Sequence, residues 1–549
     1  MFWITAIYIA THGFLLVATG RWWDDWAYAD RNWDYMIGVF MQSSLPLHAV
    51  INAGTWLFPA GFYRILTFIY FYVGAILFYK ILKKTGLFSS DACFWIVMLY
   101  VGIPINDARM AWINYAYSFG LFMFFIAFYT TTVFKESTGW RRIIFRILSL
   151  ILLMVSFDTE SIMMLTLLIL GYLYHDDLKE GWNWREVKKN VKKIAGTVIR
   201  YPDFLFAPVV WYFGDKMLFP GYGIYGGHSY IGWDTLPLIV LHAPKNALIT
   251  LANILSSYYH AFSGSAAAVT ITAAAMAVYV FAAFRMAKKN PPEDAEEKTT
   301  QLLLMLILGV IVYVLGFFPY QVHRDSAIGN TFTRGRDTML LGMGTAIMLF
   351  YGLRLILRRK IAEPIMIALA VLGIVHFNIT YLDWQESAYQ QFELQREMAE
   401  NTDLQTDDTF LIMYRGALIN ANYCQTIGNS WEVLGPGNCF YICGTINMPY
   451  IMNDSEHKDW ILNNWKMTDY TKGDGVIDGI VFVDYADIDT VTMIRQKWNE
   501  LFNRNVFNAW LDSEKDIKFV PITPAESDEL YEMCKNGSLS DEKIYEMYY

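Results

Sequence analysis

Residues 301–320, QLLLMLILGVIVYVLGFFPY, carry no charged side chain. As a helix, twenty residues rise about 30 Å, the thickness of a bilayer's hydrocarbon core. Comparable stretches lie near 2–19, 63–82, 92–105, 114–134, 143–157, 161–175, 203–219, 264–285, 338–356 and 362–380, about eleven candidate spans in all. Those near 92, 143, 161 and 203 are short, and the one near 203 contains Asp215 and Lys216. The apolar run 247–262 could be an extra span and is placed here as an interfacial helix. Composition agrees: 55% of the 549 residues are hydrophobic and 17% are charged, against roughly 45–50% and 25% in soluble domains. The expected fold class is an α-helical polytopic membrane protein, with its membrane domain over residues 1–382. The first run lacks a basic start and ends in Thr-Gly-Arg-Trp-Trp instead of a small-residue cleavage site, so it reads as a first span, not a removed signal.

Orientation follows from Lys and Arg, which concentrate in cytoplasmic loops. One alternate set of loops carries Lys80, Lys83 and Lys84; Lys135, Arg141, Arg142 and Arg146; Lys188, Lys189, Lys192, Lys193 and Arg200; Arg285, Lys288 and Lys289; and Arg358, Arg359 and Lys360. With these loops inside, the N-terminus is cytoplasmic, and an odd number of spans puts the C-terminal residues 383–549 outside. That region turns polar. Segments 408–414, 476–485 and 518–522 read as strands and 488–503 as an amphipathic helix, which predicts an extracytoplasmic α/β domain. Cys424, Cys439, Cys443 and Cys534 fall there, so one or two disulfides are open to it. No inner loop is long enough for a cytosolic catalytic domain, no nucleotide-binding Gly-rich loop is present, and the net charge of −9 gives no reason to expect nucleic acid.

Three outward segments carry groups that chemistry could use. The first reads Arg21-Trp22-Trp23-Asp24-Asp25-Trp26-Ala27-Tyr28. Trp and Tyr are expected at the membrane boundary as an aromatic belt, and solvated acids beside them need no further role. Equally, an ordinary aspartate is ionised at neutral pH. Asp24 or Asp25 could therefore accept a proton from an attacking hydroxyl while Trp26 and Tyr28 pack on a sugar ring. The second is the short turn Phe157-Asp158-Thr159-Glu160-Ser161; its acids either separate two helices or orient an acceptor, and their oxygens would suit Mg²⁺ or Mn²⁺. The third, residues 323–337, places His323, Arg324, Arg334 and Arg336 outside, against the inward trend of basic residues. Guanidinium forks bind phosphate oxygens in pairs, so the cluster suggests a lipid phosphate; ion pairing to Asp325 and Asp337 is the plain alternative. Asn106, Asp107 and Arg109 stand at the mouth of a helix pair, where they either line a cavity or pack. His12 is an isolated ionisable residue within the confident spans.

An acidic pair in the first outer loop, many spans, short inner loops and a C-terminal outer domain together resemble the GT-C superfamily of membrane glycosyltransferases, nearest the bacterial branch that uses polyprenyl-phosphate sugars. The resemblance covers roughly residues 1–380 and rests mainly on architecture, with Asp24-Asp25 as its one sharp motif. It implies an inverting transfer from a polyprenyl-phosphate-linked sugar to a glycan, wall-polymer or lipid acceptor at the outer face of the cell membrane. Asp24 or Asp25 would be the base, and Arg324, Arg334 and Arg336 are counterparts of the family's phosphate-holding residues by position. Rival expectations are a lipid-linked oligosaccharide flippase or transporter, a polysaccharide polymerase or ligase, and a surface receptor that displays the C-terminal domain.

Overall fold

The structure is a computed structural model. It describes residues 2–22, 25, 32–43, 45–179, 200–222, 236–262, 274, 278, 298–324, 326–329, 335–400, 409–415, 438–440, 478–484, 488–513, 517–536, 538 and 541–549. The chain forms two compact units: Met1–Val17 with Asp30–Ile379, and Ala18–Ala29 with Thr380–Tyr549.

The first unit is helical. Its described α-helices are α1 (Phe2–His12), α2 (Trp33–Phe40), α3 (Pro46–Ala53), α4 (Ala60–Thr85), α5 (Ser90–Gly102), α6 (Tyr115–Glu136), α7 (Gly139–Ser156), α8 (Thr166–Lys179), α9 (Pro202–Leu218), α10 (Leu236–Ser256), α11 (Thr299–Arg324), α12 (Gly342–Ile356) and the first half of α13 (Arg359–Glu400). Among the described residues, six helical stretches are long and apolar enough to cross a membrane: Ala60–Thr85, Trp112–Glu136, Pro237–Phe262, Thr299–Val322, Gly335–Ile356 and Arg359–Gln390. Phe2–Leu16, Ser90–Gly102 and Glu160–His175 are apolar but shorter. This is a helical membrane protein. The run 247–262, placed at the interface with an extra span as the alternative, is the latter part of the membrane-length stretch Pro237–Phe262. The expected span 264–285 lies outside the described residues, save Ala274 and Val278.

The sequence places apolar residues where lipid would be and small ones where helices cross. On α7, Trp140, Ile143, Ile147 and Ile151 point outward while Ser149 and Ser156 are buried, the reverse of a helix on a water-soluble protein. Each buried hydroxyl donates to a carbonyl of its own helix, Ser149 to Phe145 and Ser156 to Leu153. Helix α5 is apolar on every side and is buried from Ala92 to Gly102, as a bundle's central helix must be. Lipid tails are as apolar as leucine, so helices associate through close packing at small residues. Here Gly102 of α5 meets Gly373 of α13: a Cβ built on Gly373 would stand 1.6 Å from the Gly102 carbonyl oxygen. Gly344 of α12 also lies tight against the Tyr313 backbone of α11, 2.2 Å from an added Cβ.

Among its described residues the second unit contains a four-stranded sheet in the order β2-β1-β3-β4. Strands β1 (Thr409–Arg415), β2 (Asn438–Phe440) and β3 (Gly479–Asp484) run parallel. Strand β4 (Ile517–Pro521) pairs antiparallel to β3. Alternate residues Leu411 and Met413, with Ile480 and Phe482, turn into a core closed by Leu530, Met533, Ile544 and Tyr545. These last come from α16 (Pro524–Asn536) and α17 (Asp541–Tyr548), which follow α14 (Thr490–Phe502) and α15 (Arg504–Ser513). The strands near 408, 476 and 518 and the helix near 488 fall where the residue pattern predicts them.

Candidate functional site

At one end of the first unit's bundle, side chains from distant parts of the chain converge. Asp158 follows the last turn of α7. Its Oδ1 accepts the Leu47 backbone N–H at 3.1 Å, so it caps the start of α3, where helix N–H groups lack partners of their own. Its Oδ2 lies 3.6 Å from His48 Nδ1. The His48 ring packs edge-on against Tyr117 at 4.7 Å between centroids. Over the same Tyr117 ring stands the Arg336 guanidinium, 5.4 Å from its centroid, a cation–π arrangement. Arg336 also faces Asp337 at 3.6 Å. From α11, Tyr320 receives a hydrogen bond from Ser161 at 3.3 Å and lies within electrostatic reach of Asp337, Tyr117 and Arg336. Lys216 of α9 pairs with Glu160 at 2.8 Å, and Asp215 feels Glu160 and Asp158.

Burial divides this cluster by role. The Asp158 side chain is 6% exposed and is committed to the α3 terminus and His48. The side chains of Glu160, Arg336 and Lys216 are 39%, 26% and 23% exposed. They are the groups an incoming ligand can reach. Two cations opposite two carboxylates, with tyrosine faces beside them, can exchange an internal ion pair for a bound anion and stack a ring. Among the described residues, no group of three or more His, Cys, Asp or Glu is placed to hold a metal ion.

A second constellation lies deeper in the same unit. The segment after α5, residues 103–114, is buried throughout, and buried backbone needs partners. Its polar side chains supply them. Arg109 donates from Nε to the Asn106 carbonyl at 2.9 Å and from Nη2 to the Ile105 carbonyl at 2.6 Å. Arg64 donates to the Met110 carbonyl at 2.9 Å and Asn114 to the Ala108 carbonyl at 2.8 Å. Asn106 takes a left-handed φ of 54°, and its N–H donates to Thr338 at 2.7 Å, which ties the segment to the Gly335–Leu341 turn that carries Arg336. The Arg109 guanidinium is sandwiched between the Phe71 and Phe377 rings at 4.8 and 4.6 Å and contacts His12 at 3.2 Å. His12 is therefore not the isolated residue expected from the spans. Asp107 meets His376 Nε2 of α13 at 3.2 Å. Asn106 and Arg109 thus hold a buried loop together, a role that sequence spacing does not distinguish from lining a cavity.

The acidic pair of the first loop groups with the second unit. Asp25 is fully buried there, and its Oδ2 accepts the Trp22 N–H at 3.1 Å. The stretch leading to it is clamped to α13. Thr19 and Gln385 exchange two hydrogen bonds, at 3.0 and 2.7 Å, and the Trp22 indole donates to the Trp384 carbonyl at 3.0 Å. Gly20 has φ 104° and sits where a Cβ would come within 2.3 Å of Ala388. Asp24, Trp26, Tyr28 and Arg334 lie outside the described residues. For His323 and Arg324 the described feature is the backbone, in the last turn of α11.

Of the residues singled out from sequence, Asp158, Glu160 and Arg336 meet in one cluster. Lys216, Asp215, His48, Tyr117 and Tyr320 join them. Asp215 and Lys216 had a readable signal, since paired ionisable residues inside an apolar run mark a site by default. His48 and Tyr320 had none. No protein-family model matches this chain, and no curated protein matches it.

Proposed function

We propose that this chain is an integral membrane glycosyltransferase that moves a sugar from a polyprenyl-phosphate donor to a glycan, wall-polymer or lipid acceptor at the outer face of the membrane. One observation carries the reading. Arg336 and Lys216, far apart in sequence, stand part-exposed beside Glu160, Asp158 and the Tyr117 and Tyr320 rings at a single end of the bundle. A lipid phosphate needs cations at the membrane boundary, and a sugar ring needs an aromatic face.

In the reaction, the donor phosphate takes Arg336 and Lys216 from their partners Asp337 and Glu160. The acceptor hydroxyl attacks the anomeric carbon, and the bond from that carbon to the phosphate oxygen breaks. The phosphate leaves with the bonding pair, and the two cations stabilise its added charge. The hydroxyl proton passes to a carboxylate. Single displacement inverts the anomeric centre.

The test is transfer by purified protein in nanodiscs, offered a panel of polyprenyl-phosphate sugars. Arg336→Ala is expected to lower donor turnover about 10²–10³-fold, the scale for losing one charge-stabilising donor, with Arg336→Lys recovering little because a point charge cannot form the paired bonds. Failure of the wild type to bind or turn over any such donor overturns the proposal.

A carrier for a lipid-linked sugar is the second reading. The buried Arg109–His12 and Asp107–His376 pairs favour it, because ionisable groups inside a bundle mark transport pathways. The loop carbonyls that Arg109 satisfies count against it.

A further inference from the structure

Helix α14 in the second unit is turned inside out. Val491, Ile494, Trp498, Leu501 and Phe502 recur at helical spacing and are 60%, 43%, 64%, 45% and 69% exposed. The opposite face buries Gln496, Lys497 and Glu500 beside Met493. A helix on a water-soluble domain does the reverse.

The inward polar face is fixed by its partners. Lys497 Nζ reaches Glu500 at 2.7 Å, and Gln385 and Thr19 at 3.2 Å each. Tyr389 donates to the same Glu500 carboxylate at 2.9 Å. Rotating α14 to bury its apolar stripe would strip Lys497 and Glu500 of their bonds to Gln385, Thr19 and Tyr389 and leave the buried Tyr389 hydroxyl without that acceptor, a costly loss. The stripe therefore faces outward by construction and needs an apolar medium there.

We infer that α14 is an interfacial anchor whose apolar face seats in the lipid–water boundary of the membrane. Three further observations point to lipid. Residues 380–390 of this unit are also the end of the membrane-length stretch Arg359–Gln390. Trp498 and Phe502 pack ring against ring at 4.4 Å on the outward face, and aromatic residues prefer the headgroup level. Cations flank the stripe: Arg495 is exposed, and the Arg504 side chain, 3.9 Å from Glu500, is 63% exposed; the acid Asp489 stands at the helix start. The helix's own acid, Glu500, is turned inward. Exposed arginines beside an apolar face suit anionic headgroups.

The test uses the full-length chain with a benzophenone amino acid placed, in separate variants, at positions 494, 498 and 508. Each is reconstituted in nanodiscs of phosphatidylethanolamine and phosphatidylglycerol, irradiated and read by mass spectrometry. Lipid adducts are expected several-fold more often at 494 and 498 than at 508, where Asn508 is exposed on α15. Equal lipid labelling at the three positions overturns the inference. So does a dominant cross-link from 494 or 498 to a second copy of the chain, which would assign the stripe to a protein interface. Reading 494 and 498 independently keeps the test decisive should one variant fold poorly.

Discussion

Replacing Gly373 with alanine tests the tightest helix crossing among the described residues of the first unit and, through it, the buried Asp107–His376 contact. The added Cβ would fall 1.6 Å from the Gly102 carbonyl oxygen and 2.5 Å from its carbonyl carbon, whereas real Cβ atoms essentially never come within 3.0 Å of a neighbour. Both neighbours are backbone and no side chain can swing away, so α5 and α13 must separate locally by about 1.4 Å, the difference between 3.0 and 1.6 Å. His376 lies one turn beyond Gly373 on α13, and Asp107 five residues beyond Gly102. A shift of that size would carry their 3.2 Å contact outside hydrogen-bond range. Overpacking costs about 1–3 kcal/mol, and a lost hydrogen bond to a charged group about 1.5–3 kcal/mol; the sum is about 2.5–6 kcal/mol. The assay is thermal unfolding in a fixed detergent, with Gly352→Ala as control. At Gly352 the nearest atom to a new Cβ is Leu306 Cδ1 at 3.9 Å, so that change is expected to be neutral or to stabilise by about 0.4–1 kcal/mol through reduced unfolded-state entropy. A Gly373→Ala protein that unfolds at or above the wild-type temperature would refute the backbone-to-backbone crossing and the coupling drawn from it.

Three other outcomes are expected. Asp24→Asn should abolish transfer with the fold intact, whereas Asp25→Asn should lower thermal stability, because its carboxylate is buried on the Trp22 amide; normal turnover by Asp24→Asn removes the proposed base. At the start of α14, hydrogen bonds from Thr492 and Val491 hold the Asp489 carboxyl below its ordinary range. Its folded pKa is the lower one, so its contribution is complete above the ordinary carboxylate pKa and is lost as pH falls through the folded value; hydrogen exchange across 490–502 should speed up on acidification in the wild type but not in Asp489→Ser, and identical profiles would discount the cap. A thiol reagent added from outside should reach a cysteine placed at position 330 but not one placed at position 189, and the opposite pattern would invert the topology.

Much of the membrane architecture is legible in the residues, because a bilayer imposes a length and a polarity that any spanning helix must meet. The strands around 409, 479 and 517 are legible for a similar reason: Leu411, Met413, Ile480 and Phe482 alternate with the pleat. The site is legible only in part. Asp158, Glu160 and Arg336 draw attention because charges at the ends of apolar runs are conspicuous. Yet nothing in the chain near His48 announces that it will meet Asp158, 110 positions away. The run 247–262 reads as interfacial only while the residues before it are left out.

The sequence alone determined that this chain lives in a membrane, where its apolar stretches lie and which segments carry acids and guanidinium groups, since these depend on local composition and helical rise. Only the tertiary structure decided which charges share a place. It put Arg336 over Tyr117, gave Lys216 to Glu160, turned Arg109 into a brace for buried carbonyls and faced the apolar stripe of α14 outward. Those outcomes depend on which helices cross at their glycines and on which polar groups must be satisfied once water is gone, and neither is set by local composition.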